Sequence, residues 1–343
     1  MKRLIQVCWR VRQSTGFSVS LWVFLAALLL FCGPCARALA QGQSAPMRRV
    51  RLDMVFSTGL FRSVNRNDAI AAVRVWASMV GRTHGIQVDP TVEVADDVAE
   101  VRKRVLDGSA GVLALDVVEY FELADLPVVE PVFCAMKGEG NVPPNYLVLV
   151  GANSGISSLE GLRGKTVIIH ANTGANLGQV WLDSMLYDGH FGRPEHFFGS
   201  VEVVPKASSA ILPVFFGKAD AAIVDGGSYD VAKELNPQVG MKLRVLRASP
   251  PLAEGVLCIC RKQMDSPDDF LASARELQFD VQGRQILMVF GFNRLKPLNK
   301  NELEPVRELW RKHNLLLSQS PGKLPLASLS RQELHPAGGG DER

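Results

Sequence analysis

Hydrophobic and polar positions along this chain follow two alternating periods, one of strands and one of helices. Arg51 to Ser57 is apolar and β-branched and reads as a strand, followed by a loop from Thr58 to Arg66. Asn67 or Asp68 then stands where a cap is needed for a helix whose apolar face is Ile70, Val73, Trp76, Ala77 and Val80. A second strand is predicted near Gln87 to Val94, a helix from Val98 to Leu106 capped by Asp96, and a third strand at Gly111 to Leu115. From Val128 to Val150 the pattern changes to two extended runs, VVEPVFCAM and NYLVLVGAN, around a Gly- and Pro-containing turn. Strands follow at Thr166–Ile169, Val201–Val204, Ala221–Val224 and Leu243–Leu246, with helices between them. GVLCICR, from Gly255 to Arg261, is a strand after the Ser249-Pro250-Pro251 break, and Asp268 to Leu317 reads as helical and is expected to pack back on the first lobe.

Such alternation predicts an α/β protein with mostly parallel sheets flanked by helices. The two extended segments read as crossings between lobes. Lobe I is then residues 47–149 and 258–317, lobe II is residues 150–257, and residues 318–343, rich in Pro, Gly, Ser and charge, form a disordered tail. One lobe inserted in another and joined by two crossing strands is a hinged two-lobe layout.

Residues 1–40 read as an export signal. Lys2, Arg3, Arg10 and Arg12 form a basic start, Phe17 to Phe31 an apolar stretch, and Ala38-Leu39-Ala40 a small-residue cleavage site. The expected product is periplasmic and cut after Ala40; an uncleaved segment anchoring the protein to the membrane is the alternative. Removing five basic residues and no acid takes the formal charge from +3 to −2, so the basic character belongs to the signal and nucleic acid is not an expected partner. Cys134, Cys258 and Cys260 remain. Cys258 and Cys260 do not easily pair with each other; Cys134 bridges one of them if their strands are neighbours, or all three are buried thiols.

The stretch from Ser157 to Met185 is the most informative. The run Thr166 to Ile169 ends on His170 and a small polar loop, Asn172-Thr173-Gly174-Ala175-Asn176, which opens an amphipathic helix. A strand delivering such a loop to a helix start presents backbone N–H groups and a positive dipole end to a small polar or anionic ligand. Thr173, Gly174 and Asn176 carry this reading, with an ordinary cap as the bland alternative. Ser208 and Ser209 start another helix after a strand, and Asp225 ends a strand before Gly226 and Gly227. His170 sits at a strand's C-terminal end, where ligands gather in open α/β sheets. Asp116, Glu119 and Tyr120 follow the third strand of the first lobe; Asp116 and Asp225 are either carboxylates facing a ligand from opposite lobes or caps of the following helices. No cofactor or metal is expected: Asp188, His190, Glu195 and His196 match no ligand spacing, and no nucleophile or phosphate-loop motif occurs.

Taken in order, NRNDAIAAVRVWASMVGR, SGISSLEGLRGKTV, VFFGKADAAIVDGGSYD, NPQVGMKLRVLRASP and GRQILMVFGF resemble the phosphate/phosphite/phosphonate-binding periplasmic proteins of ABC transporters, a branch of the type 2 solute-binding fold. The resemblance spans Val50 to Leu316. It implies a two-lobe protein that holds its ligand between lobes which close by hinge motion. The family's Ser-Thr-Ser-Gly oxyanion loop matches Asn172 to Asn176, which keeps one hydroxyl. A family histidine falls near Ala207-Ser208-Ser209, two family tyrosines near Asp97 and Leu115, and a family acid on Asp225. The expectation is a monomeric, non-enzymatic protein that captures a small oxyanion-bearing ligand for an ABC permease; the alternatives are a sensor reporting to a membrane histidine kinase and, remotely, an enzyme on this fold.

Overall fold

The computed structural model describes residues 48–318, apart from 61–64, 84–85, 138–142 and 172–175. The export segment, the tail beyond Ser318 and most of the Asn172–Asn176 loop therefore lie outside the described residues, as does the Val80 side chain. In chain order the elements are β1 (Arg48–Ser57), α1 (Arg66–Thr83), β2 (Ile86–Ala95), α2 (Val98–Leu106), β3 (Val112–Asp116), α3 (Val117–Glu122), β4 (Glu130–Met136) and β5 (Tyr146–Gly151). Next come β6 (Thr166–His170), α4 (Leu177–Asp188), α5 (Pro194–Phe197), β7 (Ser200–Val204), α6 (Ala207–Phe215), β8 (Ala221–Asp225), α7 (Gly226–Leu235), α8 (Pro237–Lys242) and β9 (Leu243–Ala248). The chain returns through β10 (Gly255–Ile259) to α9 (Pro267–Glu276), α10 (Val281–Val289), β11 (Arg294–Pro297) and α11 (Glu304–Ser318).

The strands form two sheets, ordered β11-β4-β10-β3-β1-β2 and β7-β6-β8-β5-β9. Strands joined by helices run parallel: β1 with β2 and β3, and β6 with β7 and β8. The sheets are mixed rather than mostly parallel, because the strands adjoining the crossings enter reversed. β10 lies antiparallel to β3 and β4, and β5 antiparallel to β8 and β9. The edge strand β11 interrupts a segment read as wholly helical; four residues ending in Pro at a sheet edge carry too little pattern to stand out.

Two helix caps are shifted from their expected residues. Asn65, not Asn67 or Asp68, accepts the N–H groups of Asn67 and Asp68 at 2.9 and 3.4 Å. Asp97, not Asp96, caps α2, since its extended backbone precedes the first helical residue and its carboxylate accepts from Glu100 N. Asp96 is instead engaged by Arg66 at 3.2 Å.

One face of the first sheet is closed by α1, α9 and α10, where Phe56 stacks on Phe290 at 5.4 Å and Trp76 meets Phe270 edge-on at 6.2 Å. The second sheet carries α6, α7 and α8 on one face and α4 on the other. Contrary to expectation, α11 packs chiefly along α4 rather than on the first sheet. Its apolar side, Val306, Leu309, Trp310 and Leu316, shares one cluster with Leu182, Met185 and Leu186 of α4, and His313 meets Asp183 and Lys312 meets Asp188, each at 2.7 Å. All three described cysteines are buried free thiols. In the β4–β10 pair Cys134 stands opposite Val256 while Cys258 stands opposite Pro131, so no two cysteines face each other across the ladder.

Candidate functional site

The C-terminal ends of β6 and β8 lie side by side and each runs into a helix. β6 ends on His170, which is 8% exposed. β8 ends on Asp225, the cap of α7, whose carboxylate accepts from Ser228 N at 2.8 Å and from Ser228 Oγ at 2.7 Å. His170 Nδ1 stands 3.3 Å from Asp225 Oδ2. Burial alone would raise the Asp225 pKa, but His170 and Ser228 outweigh it and hold the carboxylate at about 2. Asp225 is thus both a cap and a close neighbour of His170, whose Nδ1 meets no hydrogen-bond geometry among the described residues.

Beyond His170 the chain reaches Asn176, the cap of α4, with φ of 44°. Asparagine tolerates this left-handed backbone better than most residues. Its side chain makes no capping bond, and its buried Oδ1 has no partner among the described residues. Three residues on, Gln179 donates from Nε2 to Asp183 Oδ1 at 2.7 Å, and Asp183 Oδ2 meets His313 Nδ1 of α11. Burial raises the Asp183 pKa, with His313 and Gln179 pulling the other way. A helix reading LGQVWLDSMLYD buries these polar groups because it is covered by the sheet on one side and α11 on the other.

The other expected residues fall in two places, one on the second sheet and one on the first. Ser208, with Gly227 and Ser228, lines a groove of about 530 Å³ between α6 and α7; Ser209 is exposed and does not line it. On the first sheet, Asp116 caps α3 through bonds from Val118 N and Glu119 N, both at 2.9 Å, while Glu119 reaches back to Asp116 N. Ser57 Oγ donates to Glu119, and Gly59 N donates to Ser57 Oγ at 2.9 Å. Burial and then the Glu119 charge push Asp116 up to about 8. Gly59 lies so close that a Cβ there would sit 2.7 Å from Glu119 Oε1 and 2.8 Å from Asp116 Oδ2. Tyr120 leans toward α11: burial raises its pKa and the nearby Arg307 lowers it.

The crossings connect these two halves. Gly255 pairs with Asp116, and Tyr146 pairs with Asp225. Between them Glu254, 1% exposed, accepts from Tyr146 OH at 2.7 Å and forms an ion pair with Lys137 Nζ at 2.6 Å, and its carbonyl accepts from Val117 N at 3.0 Å. Gln179, Asp183 and His313, like Lys137, Tyr146 and Glu254, were not expected as a group. Their signal is in the sequence nonetheless: each acid is a lone charge within an apolar run, where burial demands a partner.

Residues 60–303 match the family described as ABC transporter, phosphonate, periplasmic substrate-binding protein. No curated protein matches the chain. Among solved structures, XAC2383 from Xanthomonas citri bound to ATP is 14% identical with a TM-score of 0.57, over 78% of this chain and 98% of that one. PhnD1 from Prochlorococcus marinus in complex with methylphosphonate is 12% identical with a TM-score of 0.50, over 77% of this chain and 98% of that one. At these identities the likeness is one of fold, that of the type 2 periplasmic binding proteins.

Proposed function

Since the chain belongs to the family of periplasmic substrate-binding proteins of phosphonate ABC transporters, we propose that it captures a phosphonate-, phosphate- or phosphite-like oxyanion and presents it, unaltered, to an ABC permease. The first turn of α4 carries this reading. A helix start attracts negative charge through its dipole and its unpaired N–H groups, and here β6 delivers the chain from the buried His170 to the cap Asn176, whose side chain makes no capping bond to the helix. Asn172, Thr173, Gly174 and Asn176 take the oxyanion, His170 flanks it beside Asp225, and Ser208 and Ser209 open the neighbouring helix. Asp116 and Tyr120 belong to the first-sheet side. Export through residues 1–40, with cleavage after Ala40, delivers the protein to the periplasm as a monomer.

A thermal-shift panel of phosphate, phosphite, alkylphosphonates, sulfonates and amines tests the ligand class. A ligand at about 100 times its Kd adds ~2.7 kcal/mol of stability, a shift of several degrees. Thr173→Ala combined with Asn176→Ala is expected to weaken binding by about 1–3 kcal/mol, the cost of lost hydrogen bonds to a charged group. Unchanged affinity in titration calorimetry would remove this loop from the site.

A further inference from the structure

Because β7 and β8 both run parallel to β6, the helices that follow them, α6 and α7, start at the same edge of the second sheet. They leave between them the groove of about 530 Å³. One end of it is Ser208, Gly227 and Ser228, in the first turns of the two helices, and the other is Asn236 and Val239, where α8 begins. The walls are Leu212, Val231 and Leu235 over a floor of Ile211 and Ala232. Ile211 is 1% exposed, whereas Leu212, Val231 and Leu235 are 42%, 54% and 83% exposed, on helix faces where solvent normally meets polar groups. Single exposed apolar residues are ordinary, but these three border one groove, and such grouping marks a binding surface. None of the lining residues is charged.

Shape and charge identify the occupant. Packed helices such as α6 and α7 lie roughly 8–10 Å apart, and a helix with its side chains is about 10–12 Å across. A further helix is therefore too wide to sink between them, whereas a single extended alkyl chain is not. From Ser228 to Asn236 the helix rises about 12 Å, which is room for such a chain. The groove also adjoins the candidate site: Ser228 donates to Asp225, whose carboxylate lies 3.3 Å from His170 Nδ1. At that end the two helix starts and Lys206, the cap of α6, supply positive charge, and the uncharged walls lead away from it.

We infer that the α6–α7 groove is a subsite for an alkyl chain carried by the ligand, so that the protein takes single-chain alkyl oxyanions, such as a long-chain alkylphosphonate, in preference to their short-chain counterparts. This rests on the reading of the second-sheet strand ends as the ligand site. The oxyanion stays at those ends, and the chain lies along the groove with its methylenes against Ile211, Leu212 and Val231 and one side toward solvent. The preference comes from apolar surface removed from water on both partners, including side chains that the free protein leaves exposed.

Titration calorimetry with methylphosphonate and octylphosphonate, the latter below its micelle concentration, decides the matter. A fully buried methylene is worth roughly fourfold in affinity and a half-buried one about twofold, so octylphosphonate is expected to bind at least ~100-fold more tightly. Leu212→Asn combined with Val231→Asn keeps the charge and strips the apolar walls at two exposed positions. In that variant the ratio is expected to fall at least ~tenfold while the circular dichroism spectrum is unchanged. Leu235→Asn moves the ratio the same way and decides alone if the double variant does not fold. Equal wild-type affinity for the two probes, or an octyl advantage that survives these substitutions, overturns the subsite while leaving the strand-end site in place. Binding of neither probe overturns the functional reading and this inference with it.

Discussion

Asp116 and Asp225 occupy matching positions, each at the end of a strand and the cap of the next helix, yet their surroundings drive them in opposite directions. Asp225 is met by His170 and Ser228 and sits at about 2, below the ordinary value of 3.8. Its contribution is complete above the unfolded value and disappears as pH falls through the folded one, an effect of roughly 2 kcal/mol. Urea midpoints should therefore drop between about pH 4 and pH 2, and Asp225→Asn should flatten that fall. Asp116, beside Glu119 and out of water, is pushed to about 8, so the folded chain keeps a proton that the unfolded chain has released. Its contribution is complete below the unfolded value and is lost as pH rises toward 8. Asp116→Asn keeps the acceptor for Val118 and Glu119 and should remove this part of the slope; a variant whose stability profile overlays the wild type would refute the assignment. Both aspartates were legible in the sequence as caps or ligands. Their opposite pKa shifts were not, because those depend on Glu119, His170 and Ser228 reaching them across the fold.

At the scale of elements, the alternation of strand and helix periods was enough to place nearly every β-strand within a few residues, since buried strands and amphipathic helices differ in period. Cap identity slipped by two or three residues at α1 and by one at α2, where neighbouring Asn and Asp side chains compete and only backbone angles decide. The helix α11 was legible as a helix but not in its partner: it shares an apolar cluster with α4 and adds a buried His313–Asp183 contact formed by residues 130 positions apart. Removing one partner leaves the buried Asp183 carboxyl short of a hydrogen bond, so His313→Ala should cost about 1–3 kcal/mol in urea unfolding, and His313→Leu with Asp183→Leu should recover much of it. The β4–β10 ladder makes a second prediction. Burial pushes the Cys134 thiol up to about 12 and the Cys260 thiol up to about 11, and Cys258 also well upward. A protein lacking residues 1–40 should take up no thiol reagent while folded and three equivalents once unfolded in denaturant, matching its three free cysteines.

Across the whole molecule, the two sheets are joined by crossings that the sequence announced through extended runs and Pro-Gly breaks. What it did not announce is how the crossings hold each other. Lys137 leaves β4, Tyr146 begins β5 and Glu254 precedes β10, and these three meet in one buried contact of 2.6 and 2.7 Å. The ligand capture proposed above requires the two sheets to rotate against each other; such a rotation would twist the segments that carry these residues, and the network would then act on it without touching a ligand. Tyr146→Phe strips one donor from a carboxylate that is 1% exposed, a loss of about 1–3 kcal/mol. If the same contact is made in both forms, that loss appears as a lower Tm with ligand affinity unchanged. If closure strains or breaks it, the variant closes more readily, and affinity should rise while the radius of gyration in small-angle scattering shrinks in the free protein. We expect the second outcome, because Glu254 also accepts from Val117 N, adjoining Asp116, while Tyr146 pairs with Asp225. The contact therefore links strand ends that carry Asp116 and Asp225, so an approach of the two would act on it directly. A lower Tm with unaltered scattering and affinity would assign the network to stability alone.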